Sequence, residues 1–582
     1  MPRRGRYTAL LALAVLTQGY GEPGLSDERW DSAHVRHARP VSGGPLLQAC
    51  EELADALKAP NTAFVASTSI PAGALTLAGK AIPAHCQLTG RMFERTSPID
   101  GKTYAIGFEM RLPLEWNGRF YYQANGGIDG AVVPATGNTS GGGPLTSALL
   151  QGFAVISSDA GHNGAQNPTF GIDPQARLDF GYQAVGKLTP MAKRVIRAAY
   201  GKRPDASYIG GCSNGGRHTM VAAARYAREY DGYLVGAPGF NLPKAAVANM
   251  YGAQQYAPLA TNPADLSTAW TQPERQLVSN KVLERCDALD GLKDGLVQNV
   301  KACQRVFDLD TDVPTCAGPR NGTCLSADQK KAIGNIFAGP KDADGNPIYS
   351  SFPFDSGHGA SGIPFWEFIA PLVLDSGAVG FIFKTPPAEP MGFNGPAFTL
   401  GANINELSQQ IFATNAVYTE SGMSFMTPPR PERIDEQLRG RGGRMIVYHG
   451  VSDPIFSIDD TTAWYRSLKG SGKRHDRRSR HDHDDDPSDT VRLFHVPGMG
   501  HCSGGPATDQ FDMLSALVKW VEEGKAPRRV TASARGPGNA ASVNPEVPVS
   551  WAADRTRPLC PYPRTAKYHG GDAEDAESFV CR

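Results

Sequence analysis

The segment Ala206 to Gly216, ASYIGGCSNGG, sets a single serine among glycines where a short apolar run gives way to a helical pattern. Gly211-Cys212-Ser213-Asn214-Gly215 has the G-x-S-x-G form of a nucleophile elbow, in which small residues let a strand turn sharply into a helix with the serine hydroxyl exposed at its tip. Such a turn demands a strand before it and a helix after it, and both are legible. Leu188 to Tyr200 reads as a helix, Lys202 to Pro204 as a turn and Tyr208 to Gly210 as a strand, and Arg217 to Tyr230 carries alanines and aliphatics at helical spacing. With 65 glycines in the chain, so loose a pattern is expected by chance roughly once, and this copy stands alone. The competing reading is a Gly-rich loop whose serine only caps a helix. The strand-turn-helix setting favours the elbow.

The chain has 582 residues, 41% of them apolar, enough for a large core and more than one domain. Acidic and basic residues balance at 58 each, which argues against a nucleic-acid partner. Arg3, Arg4 and Arg6 precede an apolar run from Tyr7 to Leu16, too short to span a bilayer that takes about 20 helical residues. Residues 1–20 therefore read as a signal peptide, with no membrane span expected. Its cleavage point is open, since only Gly19 and Gly21 form a small-x-small pair there. Ten cysteines without a C-x-x-C pair then point to disulfides in a periplasmic or extracellular protein.

Apolar runs recur at Tyr104 to Leu112, Arg119 to Gln123, Phe153 to Ser157, Tyr208 to Gly210 and Tyr233 to Gly236, with helical patterns between the later ones. That alternation reads as βαβ units in a parallel sheet, an α/β fold. From about Phe240 the chain turns rich in Pro, Gly and aromatics and holds four of the ten cysteines, until strand-like runs resume at Arg444 to His449 and Val491 to Val496 and a helix follows from Thr508 to Glu523. The expected organisation is a core in two parts, 21–239 and 432–582, with a lid domain, 240–431, inserted at the active-site end of the strands. The mixed-charge run Arg474 to Asp489 reads as a solvated flexible loop rather than a metal site.

A serine nucleophile needs a base to take its proton and an acid to orient that base. In the α/β-hydrolase fold these follow the serine in the order acid, histidine, on loops at strand ends. Asp453, in HGVSDP, and His501, in GMGHC, have that order and those positions. Asp159 and His162 precede Ser213 and read as loop-structuring residues; His218 reads as a packing or capping residue, and His449 and His495 as core histidines. For the oxyanion, the amide of Asn214 supplies one donor, and Asn125-Gly126-Gly127 supplies the other, Gly127 first and Gly126 as the alternative.

With Cys212-Ser213, HGVSDP around Asp453, PGMGHCSGGP around His501 and the inserted lid, the chain resembles the tannase and feruloyl esterase family over nearly all of its mature length. The resemblance implies an α/β-hydrolase fold with a large inserted lid domain and a carboxylic ester hydrolase working through an acyl-enzyme, Ser213 as nucleophile, Asp453 as orienting acid and His501 as base. It also implies a structural calcium, distant from the chemistry, in Cys286 to Leu296, with side chains of Asp287, Asp290 and Asp294 and carbonyls of Leu292 and Leu296 as ligands. Three carboxylates among Gly turns suit such a hard cation, although the residues alone favour an Asp-Gly turn region.

Phe456 matches the family position facing the aromatic acyl group. Lid aromatics Phe365, Trp366, Phe381, Phe383, Phe393 and Phe425 are candidates for that pocket or for core. Relatives that hydrolyse the terephthalate monoester use a late-lid arginine for its carboxylate, whereas this lid has none between Arg320 and Arg430 and only Lys384 as a late cation. The expected substrate is thus a small neutral phenolic ester, feruloyl or galloyl, with the terephthalate monoester and a serine peptidase as alternatives. Because Cys212 and Cys502 are the chain neighbours of Ser213 and His501, a serine-histidine contact brings them into disulfide range. The resemblance implies the same bridge and the pairs Cys50 with Cys86, Cys286 with Cys303, Cys316 with Cys324, and Cys560 with Cys581.

Overall fold

The run that ends in the elbow, Ala206–Cys212, is buried at every residue, which is why it is apolar without alternation. The computed structural model describes residues 41–138, 141–471 and 487–582. Residues 1–20, read as a signal peptide, and residues 474–486 of the mixed-charge run lie outside these. Nine strands form the main sheet: β1 (Thr62–Ile70), β2 (His85–Thr96), β3 (Thr103–Pro113), β4 (Arg119–Gln123), β5 (Ala154–Ser158), β6 (Ala206–Cys212), β7 (Gly232–Gly236), β8 (Arg444–Gly450) and β9 (Val491–Val496). Their order is β9-β8-β7-β6-β4-β5-β3-β2-β1.

Strands β4 to β9 pair in parallel, but β1, β2 and β3 join antiparallel. The sheet is therefore mixed, not parallel as the alternation suggested. The physical reason is the connection between β2 and β3, a tight turn in which the Ser97 amide donates to the Lys102 carbonyl at 2.8 Å, too short for the crossover that a parallel pair needs. Strand β1 gave no apolar signal because it is an edge strand with no fully buried residue.

Helices cover the sheet: α1 (Ala184–Tyr200), closed by Gly201 at φ 76°, and α2 (Asn214–Arg225), which follows the elbow and ends before the expected Tyr230. Between β7 and β8 lies the insertion, which contains no named strand among the described residues. It holds α3 (Leu242–Tyr256), α4 (Gln272–Cys286), α5 (Ala327–Ala338) and three π-helical stretches, Phe365–Ile369, Pro371–Asp375 and Ala378–Phe383. One apolar cluster is its own, around Trp270, Val278, Phe337 and Phe368. A larger one is shared: Leu242, Phe381, Phe425 and Met426 pack with Leu188, Val195, Tyr233 and Met445. Core and insertion thus fold as one compact unit.

After β8 come α6 (Ile458–Ser471) and, after β9, α7 (Met513–Glu523). The latter starts five residues later than the sequence suggests, because the Asp512 side chain caps it and Gln510–Phe511 pairs with a small C-terminal sheet instead. Five disulfides join Cys50–Cys86, Cys212–Cys502, Cys286–Cys303, Cys316–Cys324 and Cys560–Cys581, the pairing expected above. No helix among the described residues is long and apolar enough to cross a membrane. Ile446, fully buried in β8, packs in an apolar cluster with Tyr208, Leu234 and Phe494. Ile446→Ala should lower unfolding stability by about 2–5 kcal/mol, read from the midpoint of a denaturant titration.

Candidate active site

Ser213 stands at the end of β6 with φ 65° and ψ −128°, a conformation that non-glycine residues hold only under constraint. The constraint is local: its amide donates to the Gly236 carbonyl and its carbonyl accepts from the Arg217 amide, each at 3.0 Å. The flanking glycines are required by close backbone approach. A Cβ on Gly211 or Gly215 would stand 2.2 or 2.3 Å from the Ala124 carbonyl oxygen, closer than any contact allows.

Loops after β8 and β9 bring the other two residues in. Ser213 Oγ lies 2.8 Å from His501 Nε2, and His501 Nδ1 lies 2.8 Å from Asp453 Oδ2. The backbone amides of Ile455 and Phe456 donate to Asp453 Oδ1 at 3.0 Å. His449, read as a core histidine, is indeed buried, but it also touches the acid: Nε2 is 3.2 Å from Asp453 Oδ2 and 2.9 Å from the Phe456 carbonyl. Facing two acceptors, Nε2 carries the proton and leaves Nδ1 to accept from Thr461 Oγ1 at 3.0 Å. Burial alone would raise the Asp453 carboxyl, but His501 and His449 outweigh it and hold it well below the usual carboxylate range. It stays ionised and can stabilise a protonated His501.

The loop after β4 closes over the serine. A Cβ on Gly126 would be 3.8 Å from Ser213 Cβ, and Gly127 has φ 65° with open space where its Cβ would be. Asn125 Nδ2 donates to Ser157 Oγ and the Ser158 carbonyl, His162 Nε2 donates to the Ile128 carbonyl, and the Gly130 amide donates to the Asp159 carbonyl. Asp159 and His162 thus structure the loop, as their position suggested. Among the described residues, the amides of Gly126, Gly127 and Asn214 donate to no protein group and remain available to a ligand oxygen.

The insertion reaches the site in two places. Trp366 sets its ring edge-on to His501 at 4.7 Å, backed by Phe365 at 4.8 Å, and Phe456 packs on the same imidazole at 5.3 Å. The other aromatics fall in the core: Phe381, Phe383 and Phe425 are buried, and Phe393 packs on Phe381 and Phe398. Asp355, which nothing in the sequence singled out, accepts through Oδ2 from Ser452 Oγ at 2.7 Å and from the Gly498 amide at 2.8 Å. It ties the acid loop to the histidine loop. The Lys384 ammonium donates to the Pro386 carbonyl at 2.7 Å.

In the expected calcium loop, both Asp287 oxygens accept backbone amides, from Asp294 at 3.0 Å and Gly295 at 2.9 Å. Asp290 Oδ1 accepts from the Leu292 amide, while its buried Oδ2 has no partner among the described residues. Burial first, with the charges of Asp294 and Asp287 adding, pushes the Asp290 carboxyl up to about 7. An unpartnered buried oxygen beside two further carboxylates fits a hard cation chemically. Asp294, however, accepts from Arg557 Nε at 2.9 Å, and no group of three Asp, Glu, His or Cys side chains among the described residues is arranged to hold a metal. Nor is the loop remote, since a Cβ on Gly498, three residues before His501, would lie 3.4 Å from Leu296 Cδ2.

Sheet order, elbow and the Ser213–His501–Asp453 line are those of the α/β-hydrolase fold, and the crystal structure of feruloyl esterase B from Aspergillus oryzae shares that fold, with a TM-score of 0.70 at 22% identity, covering 92% of this chain and 99% of that one. A sequence model described as tannase and feruloyl esterase matches residues 86–582. The mono(2-hydroxyethyl) terephthalate hydrolase of Piscinibacter sakaiensis is 37% identical over 92% of this chain and 91% of its own length, and a probable feruloyl esterase B-2 of Aspergillus fumigatus is 25% identical over 82% and 84%. The chain belongs to the tannase and feruloyl esterase family and is a carboxylic ester hydrolase.

The Cys212–Cys502 bridge, Cα atoms 6.1 Å apart, joins the immediate neighbours of Ser213 and His501. By the chain-entropy argument it contributes on the order of 5 kcal/mol at most, but a shift of about 1 Å between base and nucleophile costs roughly 10²-fold in rate. The double variant Cys212→Ala with Cys502→Ala should therefore lose up to roughly 10²-fold in kcat at temperatures where circular dichroism still shows it folded. Full activity would separate the bridge from catalysis.

Proposed function

We propose that the protein is an exported serine esterase that cleaves esters of aromatic acids, phenolic acids of the feruloyl or galloyl type foremost, through an acyl-enzyme on Ser213. The observation that carries this is the continuous hydrogen-bonded line from Ser213 Oγ through His501 to the ionised Asp453, facing uncommitted amides and bordered by Trp366 and Phe456. Ser213 Oγ attacks the ester carbonyl carbon as its proton passes to His501 Nε2, and the carbonyl oxygen takes the negative charge into the amides of Gly127 and Asn214. On collapse the alcohol leaves with the proton from His501. Water, deprotonated by the same nitrogen, then releases the acid from Ser213.

Residues 240–431 act as a lid whose Trp366 presents an aromatic wall to the acyl group. Export rests on the five disulfides and on the basic-then-apolar start of the sequence. A second reading, hydrolysis of the terephthalate monoester, is favoured by the 37% identical relative. Against it stands the lack of any arginine between Arg320 and Arg430, with Lys384 already engaged by Pro386. A carboxylate without a cation to meet it binds poorly.

Ser213→Ala should lose on the order of 10³-fold or more in kcat while remaining folded. The parent should cleave methyl ferulate or methyl gallate faster than the terephthalate monoester. Preference for the anionic ester would overturn the phenolic assignment, and substantial turnover by the alanine variant would overturn Ser213 as nucleophile.

Calcium in the Asp287 to Leu296 loop, with Asp287, Asp290 and Asp294 as side-chain ligands and Leu292 and Leu296 as carbonyl ligands, would serve a structural role. Without a cation, the raised Asp290 carboxyl stabilises the fold fully below its unfolded pKa of about 3.9, and this contribution is lost as pH rises through about 7. A bound cation would hold the ionised form and restore stability at high pH. Chelator should thus lower Tm more at pH 8 than at pH 5, calcium should reverse it, and Asp290→Asn should abolish the response. A Tm indifferent to both reagents at pH 8 would remove the site.

A further inference from the structure

Behind the uncommitted amides lies a buried polar cluster that the hydrolytic line does not use. Asp129 ends the loop that carries Gly127, and it holds a left-handed φ of 53°, unusual for a residue with a side chain. Its Oδ2 accepts two hydrogen bonds from α2: from Asn214 Nδ2 at 2.8 Å and from His218 Nε2 at 2.8 Å. His218 is buried, and burial, reinforced by Arg217, keeps its imidazole neutral. One tautomer suits its surroundings, with Nε2–H donating to Asp129 and Nδ1 accepting from Arg217 Nη2 at 3.1 Å.

Arg217 completes the cluster. Its Nε donates to Asn214 Oδ1 at 2.5 Å, and its other nitrogens donate to the carbonyls of Phe180, Gly181 and Met426. Asn214 is therefore held at both ends of its amide, by Asp129 and by Arg217. The loop end is held as well, since Asn167 Nδ2 donates to the Asp129 carbonyl at 3.0 Å and the Asp129 amide reaches back to the Gly126 carbonyl at 3.3 Å.

We infer that Asp129 is a positioning residue for the oxyanion hole, its carboxylate clamping the Gly127 loop to Asn214 so that the two donor amides keep one separation. The inference rests on the esterase reading above, with Gly127 and Asn214 as oxyanion donors. The two amides belong to segments 87 positions apart in sequence (214 − 127), and this carboxylate joins the segments directly by side chain. The charge that develops on the substrate oxygen appears only in the transition state, so an error in donor spacing costs kcat and spares ground-state binding. His218 and Arg217 act through Asp129 and Asn214 and touch no reacting atom.

The clamp makes a discriminating demand on substitutions, because both donors converge on one oxygen. Asp129→Asn keeps an acceptor at that place, whereas Asp129→Ala removes it. The experiment compares the parent, both variants and Ser213→Ala on methyl ferulate, with active sites counted by fluorophosphonate titration so that unfolded protein drops out. Inhibition by an aryl trifluoromethyl ketone is measured in parallel. In that complex Ser213 Oγ bonds to the ketone carbon, its proton passes to His501, and the former carbonyl oxygen occupies the oxyanion position.

The expected result for Asp129→Ala is a kcat per titrated site lower by roughly 10²-fold, a KM within about threefold, and a ketone affinity reduced in parallel with kcat/KM. Asp129→Asn should retain kcat within about tenfold of the parent. An alanine variant that turns over each titrated site at the parental rate overturns the inference, as does one that loses ester and ketone binding equally. A parent insensitive to the ketone, or a Ser213→Ala variant that remains active, overturns the esterase reading and the inference with it.

Discussion

The site depends on one close approach of backbone to backbone. The Ala124 amide donates to the Gly210 carbonyl at 3.0 Å, and the Ala124 carbonyl then crowds Gly211 and Gly215 so closely that neither could carry a Cβ. This contact brings the end of β4 onto the elbow at the end of β6. With side chains at those two positions the strand ends would part by an ångström or more, and the serine would lose the loop that faces it. Glycine at both places is a steric requirement of the fold before it is a feature of the chemistry. The strained φ of Ser213 follows from the same approach, since the turn into α2 must be completed within a single residue.

The insertion is bound tightly to that centre. Phe381, Phe425 and Met426 share a core with α1 and β8, Arg217 donates to the Met426 carbonyl, and Asp355 joins the loop of Asp453 to the loop of His501. Opening by rigid rotation would expose a shared apolar core and strand a buried carboxylate. Motion that admits substrate is more economically confined to the segment bearing Phe365, Ile369 and Val373, whose side chains are substantially exposed. That segment is π-helical, its hydrogen bonds reaching one residue further along the chain than those of an α-helix, and is a natural place for local rearrangement.

How much of this was legible in sequence follows from the range over which each feature is encoded. The elbow, the acid and the histidine are each written in a few adjacent residues, and their order along the chain sufficed to join them. The Cys212–Cys502 bridge followed from adjacency to that pair. Strand β1 escaped notice because an edge strand needs no apolar face, and the antiparallel half of the sheet escaped because turn length, not composition, decides strand direction there. Asp129 and Asp355 were invisible for another reason. Their partners lie 85 and 89 positions away for Asp129 and 97 and 143 for Asp355, and an isolated aspartate in a loop carries no mark of what folding will bring to it. The aromatics were read as a group; only the structure separates Trp366, against the imidazole, from Phe381 and Phe425 in the core.

Two buried carboxylates flank the serine, and their surroundings divide their roles. Burial raises both, but Asp453 also receives two backbone amides and two imidazoles, one of which becomes cationic in the proposed reaction, and its carboxyl ends well below the usual range. Asp129 receives neutral donors, an amide and an imidazole; burial outweighs the opposing influence of His162, of Arg217 and of the Asn214 hydrogen bond, and its carboxyl is pushed up to about 7. A group so balanced is poorly suited to supply fixed charge to a transition state, because its own ionisation would change with modest shifts in pH. It is well suited to hold geometry, since an oxygen accepts a hydrogen bond whether or not its partner oxygen is protonated. In the proposed mechanism the permanently ionised acid therefore belongs beside the histidine that gains charge, and the balanced one beside the donors that must only stay in place.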